Sequence, residues 1–269
     1  MMRDRPVEEV IRAVAEAGYG AVEWAPREDF LPAGRAPQAS PPKVRQLRRA
    51  AELEGVSVAS LAAFYDWSNP DEDLRAIAVS RFRRAIEVCS DLDCARINTE
   101  LKGDLTQPAA SEDSFRESLD ELLPVAEQAG VRISVEPHPY DFIESSDSAV
   151  DLVRSIDSPS LGYLYCAPHT YIMGGDTTAM VAHAADVLSH VHLADSFRPA
   201  RYITNPPNTG VRVHQHLDIG LGEVDFAALF SSLAGAAYDG VLTISVFAHP
   251  ERARASFQLN QEKVLPFLD

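Results

Sequence analysis

Apolar positions along this chain fall into two alternating patterns. Short runs rich in β-branched residues are separated by longer stretches whose apolar residues recur every three or four positions. That alternation predicts repeated βα units around a parallel sheet. The first unit opens on a helix: Val7, Val10, Ile11 and Val14 share one face, and Gly18 ends it. The strand Ala21 to Trp24 follows, then an irregular Pro-rich stretch from Pro26 to Pro42.

From there the pattern is regular. It predicts a helix over 43–54, a strand over 56–64, a helix from Pro70-Asp71-Glu72 to about Leu92, and a strand over 95–98. Ser111 to Ser114 read as the cap of a helix closed by Gly130, before a strand over 131–135 that ends at Glu136. A helix over 146–156, a strand over 161–165 ending at Cys166, a helix over 177–187 and a strand over 190–193 come next. After a long loop to Gly222, a helix from Asp225, a strand over 241–246 and a helix from Glu251 complete the chain. The count is seven strands and eight helices, one strand short of a closed (β/α)8 TIM barrel. The expected fold is therefore an α/β barrel of that type, residues 1–269 forming one domain, with its first strand missing or truncated. Either the start has been shortened or the barrel has a gap beside its last strand.

Length agrees with this reading, because 269 residues suit one such barrel. Charge narrows the function. Forty acidic against 24 basic side chains give −16, a field that repels nucleic acid and anionic membranes. Arg45, Arg48 and Arg49 share one helix and Arg81, Arg83 and Arg84 another, but acids flank both groups, as on a solvated face. No run has transmembrane length, and the start lacks the apolar core of a signal peptide. Cys89, Cys94 and Cys166 form no CxxC pair, which points to a reducing, cytoplasmic setting.

In such barrels catalytic groups stand at the C-terminal ends of strands. Those positions are Glu23, Glu100, Glu136, Cys166, His192 and Ser245. Carboxylate, thiol and imidazole at the ends of three consecutive strands (Glu136, Cys166, His192) are expected to meet at the mouth. His190 and His192 alternate along a strand and so share a face; His214 and His216 repeat the spacing in the loop, and His169 closely follows Cys166. A lone strand histidine is more often a satisfied core residue, and a free cysteine is often a small buried hydrophobe, so Cys166 is read equally as either. Asp195 could orient a substrate hydroxyl or cap its loop. Gly220-Leu221-Gly222-Glu223 lacks the strand-turn-helix context of a dinucleotide site. Residues 202–208 make a Pro-rich loop suited to covering a small polar substrate.

Three stretches carry a resemblance: Ile133-Ser134-Val135-Glu136-Pro137-His138, His190 to Asp195, and Leu217 to Phe226. They resemble the xylose-isomerase-like TIM-barrel family of sugar (phosphate) isomerases, epimerases and inosose dehydratases. Tyr165 to Thr170, Arg201 to Pro207 and His214 to Leu217 look closest to myo-inositol catabolism proteins of the IolH type. The resemblance implies a sugar or cyclitol isomerase, epimerase or dehydratase that holds one divalent metal with four strand-end ligands. Glu136 and His192 match the first and third ligands. Cys166 stands where the family has aspartate, and Ser245 where it has glutamate. Zinc or manganese is implied, with cysteine favouring the softer ion. Glu136, His169 and His192 are then the catalytic candidates, and Glu136, Cys166 and His192 the metal ligands. His138, Asp195, Arg201, His214, His216 and Glu100 are the substrate contacts. The partner is a sugar or cyclitol, and a homo-oligomer is compatible with the sequence. The alternative is a metal-free, non-catalytic sugar- or cyclitol-binding barrel or partner subunit.

Overall fold

The computed structural model describes residues 1–197, 203–204, 212–213 and 215–268. Seven parallel strands form one sheet: β1 (Ala21–Trp24), β2 (Ser57–Ala62), β3 (Arg96–Glu100), β4 (Arg132–Glu136), β5 (Leu161–Cys166), β6 (Leu188–Leu193) and β9 (Leu242–Ile244). The sheet runs in chain order and curls into a nearly closed barrel. A two-stranded antiparallel ribbon, β7 (Ile203–Thr204) with β8 (Arg212–Val213), sits in the connection between β6 and β9 and has no counterpart in the hydrophobic pattern.

Helices alternate with the strands: α1 (Val7–Glu16), α2 (Pro41–Glu54), α3 (Glu72–Asp91), α4 (Pro108–Ala129), α5 (Ser146–Ile156), α7 (Thr177–Ala184), α8 (Phe226–Gly235) and α9 (Ala253–Val264). A short α6 (Ala167–Ile172) follows β5 directly. Two helix starts differ from the sequence reading for one reason. Pro41 and Pro108 sit in the first turn, where a missing N–H costs nothing, so α2 and α4 begin earlier than the periodic apolar residues suggest. Ser111 is accordingly inside α4, and its Oγ accepts from the Asp104 N–H instead of capping.

The core between sheet and helices is apolar. Trp67 stacks on Phe82 at 4.8 Å and meets Phe115 edge-on at 5.0 Å, which ties α3 and α4 to the sheet. The inside of the barrel is different, because positions with period two there carry Glu23, Ser60, Asn98, Glu100, Ser134, Glu136, His190 and His192. A barrel lined with such groups is built around chemistry at the expense of apolar packing.

The strand shortfall is real among the described residues: β1 pairs only with β2 and β9 only with β6. Between these edges lies the wall of a cavity of about 750 Å³, lined by Val22, Thr243, Val10, Phe257 and Val264 among others. Arg27 donates from Nη1 to the Arg5 carbonyl at 3.0 Å, so the residues ahead of α1 cross the mouth end of the gap without filling it. Unpaired strand edges are costly when they cannot reach water. Joining about six β-branched residues ahead of Met1, the length of an ordinary strand, is therefore expected to raise the melting temperature. Equal melting of the two chains would mean the edges are already satisfied.

Candidate active site at the barrel mouth

The site is assembled from the ends of β1, β4, β5 and β6, with α6 and the segment around His216. Period two puts Glu136 on the interior face at the end of β4, and parallel register sets Cys166 of β5 beside His192 of β6. Cys166 caps α6 with Pro168 in the first turn, and the helix then turns His169 back beside Cys166. Glu136, Cys166 and His192 each offer a donor atom within 4.8 Å of the others, and so do Cys166, His169 and His216. All five are buried.

Glu136 is the centre of this arrangement. Its Oε2 lies 3.4 Å from His169 Nδ1 and 3.6 Å from His192 Nδ1, yet receives no hydrogen bond of good geometry. Burial opposes ionisation, but the neighbouring imidazoles of His169 and His192 outweigh it and hold the Glu136 carboxyl well below the usual carboxylate range. His216 has a fixed tautomer: its Nδ1 donates to the Ser245 carbonyl at 2.5 Å, since that oxygen can only accept. Its Nε2 therefore faces inward, 3.3 Å from His169 Nε2 and 3.9 Å from Cys166 Sγ. Burial works against a charge on His169, but Cys166 and Glu136 raise it to about 10, so its ring holds a proton between Glu136 and His216.

Glu23, a strand-end residue given no role by the sequence reading, proves to anchor His192. Its Oε1 lies 3.2 Å from His192 Nε2, while Oε2 accepts from Ser60 at 2.7 Å and from Asn98, with His190 Nε2 at 3.5 Å. A carboxylate on Nε2 leaves Nδ1 aimed at Glu136, the carboxylate–histidine pairing that orients a metal ligand. His190 donates to or accepts from Thr243 Oγ1 at 2.8 Å, and burial lowers it to about 3. The signal for Glu23 in the sequence was its place at a strand end facing the same interior as His190 and His192.

The remaining candidates divide. Glu100 and His138 line the same cavity. Glu100 pairs with Lys102, and His138 Nε2 stands 3.9 Å from it, while the His138 ring meets His169 edge-on at 4.8 Å. Asp141, absent from the sequence candidates, joins them, and burial raises it to about 7. Asp195 goes elsewhere. Its oxygens accept from the N–H groups of Ser196 at 2.9 Å, Gly220 at 2.8 Å and Val224 at 3.0 Å. These contacts match the loop-capping alternative, and Asp195 is not among the residues that line the cavity. Gly222 is needed there, since a Cβ would come within 2.3 Å of Asp195 Oδ1. Arg201 and His214 lie outside the described residues.

Whether a divalent ion suits these residues can be judged from the donors. One carboxylate oxygen without a hydrogen bond, one thiol and imidazole nitrogens converge in a buried pocket, a set that fits zinc or another thiolate-tolerant ion.

Acid should weaken the metal-free protein. Glu23 is held at about 2 because His192, His190 and Ser60 outweigh its burial. A carboxyl depressed on folding stabilises above its unfolded value and loses that contribution as pH falls from about 4.5 towards 2, a difference of about 3 kcal/mol. His138 and His190, both lowered to about 3 chiefly by burial, act in the same direction below about 6.5. Urea unfolding of chelated protein should show stability falling across this range, with a shallower fall below pH 4.5 in Glu23→Gln. An unchanged slope in the variant would contradict the pairing.

The architecture and the place of the site define the class: a TIM barrel with its polar centre at the C-terminal ends of the strands. Within that class the chain belongs to the xylose isomerase-like TIM barrel family, which it matches over residues 11–263. It is 25% identical over 257 residues to a 3-dehydroshikimate dehydratase of Pseudomonas putida, covering 93% of this chain but 37% of that protein, so it spans little more than a third of that relative. A fructoselysine 3-epimerase of Shigella flexneri is 24% identical over 204 residues, 71% of this chain and 72% of the other. A solved structure of D-psicose 3-epimerase in the presence of D-fructose superposes with a TM-score of 0.76 at 15% identity, covering 98% of this chain and 92% of that one. The chain thus sits among isomerases, epimerases and dehydratases. No described helix is long and apolar enough to cross a membrane.

Proposed function

We propose that this protein is a metal-dependent isomerase, epimerase or dehydratase of a polyhydroxylated ketone, a keto-sugar or an inosose. The observation that carries this reading is that Glu136, His169 and His192 meet on the wall of a cavity large enough for such a molecule, with Cys166 buried within donor reach of each. The names of the relatives agree with it, since psicose, fructoselysine and dehydroshikimate are all hydroxylated ketones.

Glu136, Cys166 and His192 would hold the ion. Bound there, the metal supplies polarisation of the substrate's carbonyl and hydroxyl oxygens, which acidifies the adjoining C–H. Glu136 is a ligand and the base for that proton. His169, protonated between Glu136 and His216, returns a proton to a substrate oxygen. Glu23 holds His192 in the required tautomer, and His216 holds His169. Glu100 and His138 flank the substrate.

Ser245 follows β9 where the family resemblance calls for a carboxylate, and it cannot serve as a base on the opposite face of the substrate. This favours dehydration or proton transfer on one face over a two-base epimerisation. The test is solvent deuterium exchange, followed by NMR, with D-psicose, an inosose and 3-dehydroshikimate. Exchange at the carbon beside the carbonyl in at least one supports the reading. No exchange in any, with metal present, favours the non-catalytic binding barrel.

A further inference from the structure

A second pocket, of about 200 Å³, lies at the opposite end of the barrel, lined by Arg96, Arg132, Ser189, Tyr238, Asp239 and Gly240 among others. Arg96 and Arg132 open β3 and β4 and are register partners, so both side chains leave the interior face that carries Glu100 and Glu136 at the far ends. Glu136 lies four residue steps along the strand from Arg132, about 13 Å.

The Nε atoms of both arginines are buried and have no hydrogen-bond partner. Arg132 Nη2 donates to the Leu161 carbonyl at 3.3 Å, and no ion pair joins either guanidinium to a carboxylate among the described residues. Burial, and then the neighbouring charge of Arg96, lowers Arg132 from its ordinary value. Gly162 keeps the floor open, since a Cβ there would stand 2.9 Å from Arg132 Nε and 2.4 Å from the Ser189 side chain. Two adjacent cations, partly withdrawn from water, are expensive to hold without a counter-charge. The carboxylate in the lining, Asp239, is exposed, and among the described residues it forms no ion pair with either guanidinium.

We propose that the pocket binds a tetrahedral oxyanion, with inorganic phosphate as the physiological form. Two guanidinium forks match such an anion in charge and hydrogen-bonding geometry. The volume accommodates phosphate with a few waters. Nothing in this assignment depends on the chemistry at the mouth. The bound anion closes the N-terminal end of the barrel and stabilises the fold by mass action.

Thermal unfolding in about 10 mM phosphate, against chloride of equal ionic strength, tests this. The wild-type midpoint should rise on the order of 5 °C in phosphate, and sulfate should act in the same sense. Arg96→Gln should lose the rise. Ala185 lines the same pocket and is exposed. Ala185→Asp, which adds a carboxylate beside the arginines, should melt above wild type in chloride and gain nothing from phosphate. Glu136→Gln should keep the full shift, which separates this site from any anion held at the mouth. Identical wild-type midpoints in phosphate, sulfate and chloride would overturn the proposal. So would a shift retained in both Arg96→Gln and Ala185→Asp, or one lost in Glu136→Gln but retained in Arg96→Gln.

Discussion

Glu136→Gln is expected to lower kcat/KM about a thousandfold for the proposed activity, the usual scale for losing a general base. The amide keeps the size and the buried position of the side chain, so the fold should survive. What it removes is the negative charge that His169 and His192 face at 3.4 and 3.6 Å. Both the base and one donor to the metal go with it. Steady-state rates together with circular dichroism separate catalytic loss from unfolding. Retention of more than about a tenth of the activity would place the base elsewhere, with Glu23 and Glu100 the next carboxylates lining the cavity.

Cys166→Asp should change which metal the protein prefers. The cysteine is buried, shares register with His192, and lies within donor reach of Glu136, His169 and His216. A thiolate favours zinc, whereas a carboxylate suits manganese or magnesium. Competitive titration should show the zinc-to-manganese affinity ratio falling by on the order of a hundredfold in the variant, the scale on which changes around a metal site act. An unchanged ratio would make Cys166 a packing residue, the other reading that its burial allows.

Much of the fold was legible because hydrophobic period depends only on which face each element buries. The helices around Val7, Glu72, Ser146 and Asp225 and all seven barrel strands follow from it. The pattern could not show α6, whose six residues are too few for a period to develop, nor the β7–β8 ribbon, which buries no continuous face. Strand ends also gave Glu136, Cys166 and His192, because topology alone sends them to the mouth. The roles of Glu23 and Asp195 were hidden for a different reason. Both are carboxylates beside a strand end, and only three-dimensional partners distinguish them. Glu23 meets His192 across the barrel from a position 169 residues away, while Asp195 meets three backbone N–H groups in its own loop. Nor does an arginine at the start of a strand announce that its neighbour in the sheet begins the same way, as Arg96 and Arg132 do.

Metal analysis with X-ray absorption on the purified protein bears most directly on the central claim, that Glu136, Cys166 and His192 hold a thiolate-tolerant ion at the barrel mouth. Zinc or a similar ion is expected near one per chain, with one sulfur ligand at about 2.3 Å and nitrogen or oxygen ligands at about 2.0–2.2 Å. The sulfur shell should vanish in Cys166→Ser. Stoichiometric magnesium in an all-oxygen shell, or full deuterium-exchange activity in protein stripped of metal, would contradict it.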